Sequence, residues 1–132
     1  DREDVRLNTF DGLYPRGAYF GRVARFGPSN LIDVHPYLNT AIGKFYIELD
    51  YVTFWRFSRD DGVYNPALIL EYPAQNNERK IAQQIGTITG IEISTHFALE
   101  WETNLIFPET FLRRGNLDNT LFHSVLTAEF KF

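Results

Sequence analysis

A chain of 132 residues with 16% aromatic side chains, no cysteine and a formal charge of −4 holds at most one ordinary domain. Without cysteine, its stability rests on packing and hydrogen bonds, and an acidic balance with no basic stripe argues against a nucleic-acid partner. No apolar run approaches the ~18 residues of a membrane helix, yet barrel strands, which alternate lipid-facing and lumen-facing side chains, remain open.

Residues 1–16 open on Asp1-Arg2-Glu3-Asp4, are broken by Gly12 and Pro15, and read as loop. The charged start and the absence of any methionine suggest a mature or truncated piece, the C-terminal portion of a longer protein. Residues 17–27 hold three glycines and read as a weak strand or as a loop folded into a lumen, so that residues 1–29 together form a loop with one weak strand.

From residue 30 onward the pattern is one of strands. In residues 31–42, Ile32, Val34, Leu38 and Ile42 share one face while Asp33, His35, Tyr37 and Asn39 share the other; Pro36 weakens the strand by removing a ladder donor. Gly43 marks a tight turn. Residues 44–58 alternate most clearly, with Phe45, Ile47, Leu49, Tyr51, Trp55 and Phe57 against Lys44, Tyr46, Glu48, Asp50 and Arg56. Residues 59–80 read as a long loop with at most a short strand. Residues 81–94 set Ile85, Ile91 and Ile93 opposite Gln84, Gly86, Gly90 and Glu92. A short turn at Thr95-His96 leads into residues 97–107, where Phe97, Leu99, Trp101, Leu105 and Phe107 oppose Glu100, Glu102 and Asn104. Residues 109–119 form a second loop. The last stretch, 121–132, places Phe122, Leu126, Phe130 and the terminal Phe132 on one parity and His123 and Glu129 on the other.

No helical period is sustained, so the pattern predicts an all-β protein. Strands of 11–15 residues exceed the usual 5–6 of soluble sheets and suit the ~9–11 that cross a bilayer at a tilt. Short turns alternate with long loops as in an outer-membrane barrel, which puts the C-terminus on the periplasmic side and residues 59–80 and 109–119 outside. The apolar parity then gives two lipid-facing girdles, Phe45, Phe97, Phe130 and Phe132 at one rim and Trp55, Phe57, Phe107 and Phe122 at the other. The expected fold is an antiparallel transmembrane β-barrel of which this chain supplies about the last five or six strands, the remainder coming from other strands or a partner chain. Five or six strands fall short of the eight or so of the smallest such barrels.

Several short pieces in order carry a resemblance to a known family. They are Leu13-Tyr14-Pro15 with Tyr19-Phe20-Gly21, Asn30-Leu31-Ile32-Asp33, Thr53-Phe54-Trp55-Arg56, Lys80 to Ile85, Phe107-Pro108 and the aromatic C-terminus. Together they resemble the alginate-export family of outer-membrane barrels, whose members are longer. The chain departs from that family at Gln84 and Gly86, where acidic residues are frequent, and at Glu109, where a glycine follows the proline. The resemblance implies bacterial outer-membrane location, contact with membrane lipid and lipopolysaccharide, and passage of a hydrophilic solute or polysaccharide.

The expected pore-lining set is Asp33, His35, Lys44, Glu48, Asp50, Arg56, Gln84, Glu92, Glu100, Glu102, His123 and Glu129. On this parity seven carboxylates face three basic residues, Lys44, Arg56 and Lys131, which speaks against a simple anion conduit lined by arginine. The competing view makes these residues structural ion pairs, such as Arg56 with Glu92. Ser94 and His96 lack a third member for hydrolysis, the histidines show no metal-ligand spacing, and no cofactor is expected. Asp60-Asp61-Gly62 and Arg113-Arg114 read as solvated loop residues before they read as cation or lipopolysaccharide contacts. A non-conducting barrel that anchors a surface complex is the alternative, and a soluble ligand-binding barrel the third.

Overall fold

The structure, a computed structural model, describes residues 19–132. The expectations for residues 1–16, the resemblance at Leu13-Tyr14-Pro15 and the start of the 17–27 stretch lie outside the described residues. Strands β1 (Leu31–Val34), β2 (Tyr37–Ile42), β3 (Phe45–Arg56), β4 (Val63–Tyr64), β5 (Leu70–Tyr72), β6 (Lys80–Ser94), β7 (Phe97–Pro108) and β8 (Leu121–Phe130) are accompanied by one short helix, α1 (Thr110–Arg114). The protein is all-β in class, as the alternation requires.

All but β4 and β5 join one antiparallel sheet. β1 and β2 both pair with β3, and β6, β7 and β8 follow in order. No pairing joins β8 to β1 or β2, so among the described residues the sheet is open at both edges. The expected strand over 31–42 is two strands. Pro36 has no N–H to donate and interrupts the ladder, while its carbonyl accepts from Tyr51 N at 3.1 Å and keeps the segment against β3.

The β2–β3 and β6–β7 turns are each two residues long, as their flanking pairs Ile42↔Phe45 and Ser94↔Phe97 show. Gly43 sits at φ 63°, a conformation glycine adopts without strain. The two long connections meet at the opposite end of the sheet and are not plain loops. Residues 57–79 contain the β4–β5 hairpin, and residues 109–120 contain α1. At that end a dry core forms from Val52, Phe54, Ile81, Ala82 and Ile106 of the sheet with Phe26, Val63, Phe111 and Leu112.

Strand register puts every residue of the sheet on one of two faces. One face, here the inner one, is covered at the long-connection end by residues 19–30. This strap holds no strand; it turns at Gly21 (φ 81°), where Ala24 N donates to Gly21 O at 3.3 Å, and packs Phe20 and Phe26 on Phe54, both with ring centroids 4.8 Å apart.

The outer face is different in kind. Leu49, Ile85, Trp101 and Leu126 on four successive strands are 44%, 43%, 53% and 73% exposed. From β1 to β8 the residues of this parity between the two rims carry no charge. Polar groups there bond to one another: Trp101 Nε1 donates to Ser124 Oγ at 2.8 Å, Thr87 and Thr103 share a bond of 2.5 Å, and Tyr51 donates to Gln83.

Candidate functional site on the inner face

The inner face carries the charges, and the register brings them together. Asp50 pairs with Gly86, which pairs with Asn104, which pairs with His123; Tyr46 pairs with Gly90, which pairs with Glu100, which pairs with Thr127. In each row β6 contributes a glycine, and the side chain from β3 lies down across it. A Cβ on Gly86 would stand 2.5 Å from the Asp50 carboxylate, and one on Gly90 would stand 2.1 Å from the Tyr46 ring. The gap at Gly90 lets Tyr46 reach across β6 and donate its hydroxyl to Glu100 Oε2 on β7 at 2.8 Å.

This slot makes a prediction. Gly90→Ala should cost about 1–3 kcal/mol, because the ring must leave a well-packed position and surrender its bond to Glu100. In a Tyr46→Ala background the same change should cost far less. Denaturant titration of the two single variants and the double variant gives the coupling; additive losses would show that ring and glycine do not interlock.

At mid-height the strap supplies what the sheet lacks, a basic group. Arg22 Nη2 lies 2.8 Å from Glu100 Oε1 and its Nε 3.3 Å from Glu102 Oε2, while its backbone N–H donates to Glu102 Oε1 at 2.7 Å and Nη1 to Thr127 Oγ1 at 2.5 Å. Glu102 is also bonded by Asn104 Nδ2 at 2.8 Å. Gln84 Nε2 donates to Phe20 O at 2.7 Å and to Asn104 Oδ1 at 3.0 Å. Since the Phe20 carbonyl only accepts, it orients the Gln84 amide. Glu102, Gln84 and Asn104 are all buried by this arrangement.

Several expected pore-lining residues therefore have other surroundings. Gln84 and Glu102 lie on the inner face but beneath the strap. Arg56 also has inner parity, yet it is fully buried and points into the long connection, where Nη1 donates to Arg59 O and Asp61 O, both at 2.9 Å, and Nη2 to Asn76 O at 2.6 Å. An ion pair of Arg56 with Glu92 does not form, because Arg56 ends β3 at the long-connection rim and Glu92 stands beside the opposite turn. Lys44 belongs to that turn and donates Nζ to Ile93 O at 2.8 Å. His35 sits at the break before Pro36, with Nε2 3.8 Å from Asp50 Oδ1.

The rest stay open. Asp33, Glu48, Glu92 and Glu129 are exposed on the inner parity, and Glu129 has an exposed partner in Lys131 at 3.5 Å; Glu100 and His123 are half-buried. Of the aromatics assigned to girdles, Phe45, Phe97 and Phe130 stand on the outer face near the short turns, and Trp55, Phe107 and Phe122 near the other rim. Phe57 lies beyond the end of β3, and Phe132, beyond β8, stacks edge-on against Phe130 at 5.2 Å. Ser94 Oγ accepts from the His96 backbone N–H at 3.2 Å, and His96 Nδ1 lies 3.0 Å from Lys131 O, an arrangement of turn contacts. Among the described residues no group of three or more His, Cys, Asp or Glu side chains is placed to hold a metal.

The features of the inner face that parity did not deliver are Arg22, Asn104 as a buried hub, and the Tyr46–Gly90 slot. The only sequence signal for the first was the glycine-rich stretch that allowed a lumen-folded loop.

The family model for alginate export matches residues 1–120. No curated protein and no solved structure matches the chain.

Proposed function

Because the chain belongs to the alginate-export family, we propose that it is an outer-membrane transport protein, that residues 31–132 form an arc of its transmembrane β-barrel, and that the inner face lines a channel for hydrophilic solutes, polysaccharide among them. The observation that carries this reading is the segregation of charge. Between the rims the outer face carries no charge and is largely apolar from β1 to β8, with large exposed hydrophobic side chains, while every carboxylate on the strands of the six-stranded sheet lies on the inner parity. Hydrocarbon is the environment in which such a face is favourable, since its few polar groups are already bonded to one another. A soluble barrel would bury its apolar face and expose the charged one, the reverse of what the strap and the core impose here.

Strand length fits the same reading. β3 and β7 have 12 residues and β8 has 10, against the roughly 9–11 needed to cross a bilayer at a tilt. In lipid, the unpaired edges of β8 and of β1–β2 demand partners, because no water is there to bond their backbone groups. Further strands complete the barrel, as six are fewer than the eight or so of the smallest membrane barrels. The short turns at residues 43–44 and 95–96 face the periplasm and the long connections face outward.

The interior is not a bare bore. The strap covers Glu102 and Gln84, whereas Glu48, Glu92 and Glu129 keep their access to water. Nitroxide labels test the assignment in the full-length protein in bilayers. A label at Leu49 should be quenched by oxygen dissolved in lipid, and one at Glu48 by a water-soluble nickel chelate. Equal exposure of both labels to the chelate would end the barrel reading. Conductance in planar bilayers separates a channel from a barrel that serves only as an anchor.

A further inference from the structure

The strap is fastened at two ends by different chemistry. Its C-terminal half is locked by packing and by neutral bonds. Phe26 is buried in the core, Gly27 N donates to Tyr64 O at 2.8 Å, and Asn30 Nδ2 donates to Ser58 O at 3.1 Å and Gly62 O at 2.8 Å while its Oδ1 accepts from Ser58 N at 2.6 Å. A Cβ on Gly27 would fall 2.3 Å from Asn65 O, so this end is wedged against the β4–β5 hairpin with no slack. The N-terminal half reaches further over the sheet and holds to it through polar groups as well as through Phe20 and Val23, which pack against the core. There Arg22 serves Glu100, Glu102 and Thr127 at once, and its own side chain is 44% exposed.

We propose that Arg22 is a positioning residue for transport: it holds residues 19–24 flat against the inner wall, and thereby sets both the free bore and the charge of the wall at that height. One planar guanidinium can satisfy two carboxylates and a hydroxyl on neighbouring strands, which an ammonium cannot do from one position. Without the Arg22 side chain, Glu102 at 3% exposure keeps two neutral donors, Asn104 and the backbone N–H of residue 22, and loses its only positive partner, while Glu100 keeps only Tyr46. Glu100 then turns toward water, Glu102 is left buried without a counter-charge, and the strap, still wedged at Gly27, stands away from the wall into the lumen. Arg22 therefore offsets one of the two carboxylate charges on the wall and keeps the passage open, through contacts made within the protein and not with the solute.

The inference rests on the channel reading for its consequence but not for its structural test. With any cysteine outside these 132 residues replaced, and none within them, single labels at Tyr19→Cys and Pro28→Cys report the two ends separately. In the full-length protein, Arg22→Gln should abolish the immobilised spectral component at residue 19 and leave residue 28 unchanged. Arg22→Lys, which keeps charge but not the fork, should restore part of the immobilisation. Retained immobilisation at residue 19 in Arg22→Gln would overturn the proposal, as would equal loosening at residue 28, which would mean that the whole strap depends on the ion pair. In planar bilayers the same Arg22→Gln protein should show a lower unitary conductance and a reversal potential displaced toward cations. If neither protein conducts, the channel reading falls, while the labels still decide whether Arg22 holds the strap.

Discussion

Arg56→Ala should loosen the long connection of residues 57–79 and lower stability by on the order of 4 kcal/mol, while leaving ion selectivity nearly unchanged. Arg56 is the hub of that rim. Its Nε donates to Glu78 O at 3.0 Å, a bond shared with Nη2, and the other guanidinium hydrogens go to Arg59, Asp61 and Asn76 carbonyls. The guanidinium also lies 4.1 Å from the Phe111 ring centroid, which ties α1 to the same point. Truncation takes from four carbonyls the donor that Arg56 supplies and opens a cavity beneath Phe111, and an unmade bond at a buried position costs more than a made one contributes. Arg56→Lys should recover little, since an ammonium cannot span the same set of carbonyls. Limited proteolysis of the full-length protein should show new cleavage between residues 57 and 79. Wild-type resistance to protease, combined with a shifted reversal potential, would make Arg56 a solute contact after all.

That residue also shows where the sequence is legible and where it is not. Alternation is a local property of a strand, so along β3, β6, β7 and β8 the face of each residue follows from counting by two except at the bulges by Phe54/Trp55 and Glu92/Ser94, and the antiparallel register carries it from strand to strand. What covers a face is not local. Arg56 has the parity of a lumen residue and is buried because the 57–79 connection folds back over it. Gln84 and Glu102 share that fate for the same reason, with the strap as the cover. Gly86 and Gly90 look like weak points in a strand, since glycine has no side chain to pack. They are sites of close approach, visible only once Asp50 and Tyr46 are placed opposite them. The break at Pro36 was legible as a weakness of the strand. That β3 pairs with both halves was not, because the compensation lies on the neighbouring strand.

Leu49→Arg is expected to be the most damaging single change on the outer face, and Glu48→Arg, its neighbour in the chain, nearly harmless. The two residues adjoin in β3 but point to opposite faces, and both are exposed, so packing against the rest of the chain does not separate them. Solvent does. Leu49 lies mid-strand, in a cross-strand row with Thr87 and Thr103 that holds no charge. A cation there must enter hydrocarbon, thin the bilayer or snorkel to a distant headgroup, at a cost of about 2–4 kcal/mol near the midplane. At Glu48 the same guanidinium meets water and exposed carboxylates on the inner parity, where the cost is small and the attraction to its neighbours partly offsets it. Reversible unfolding of the full-length protein in phospholipid vesicles measures the difference between the two variants directly. In detergent or denaturant alone the gap should shrink, because the penalty belongs to the lipid and not to the fold. Equal tolerance of both substitutions in bilayers would remove hydrocarbon from the outer face, and with it the membrane-spanning arc.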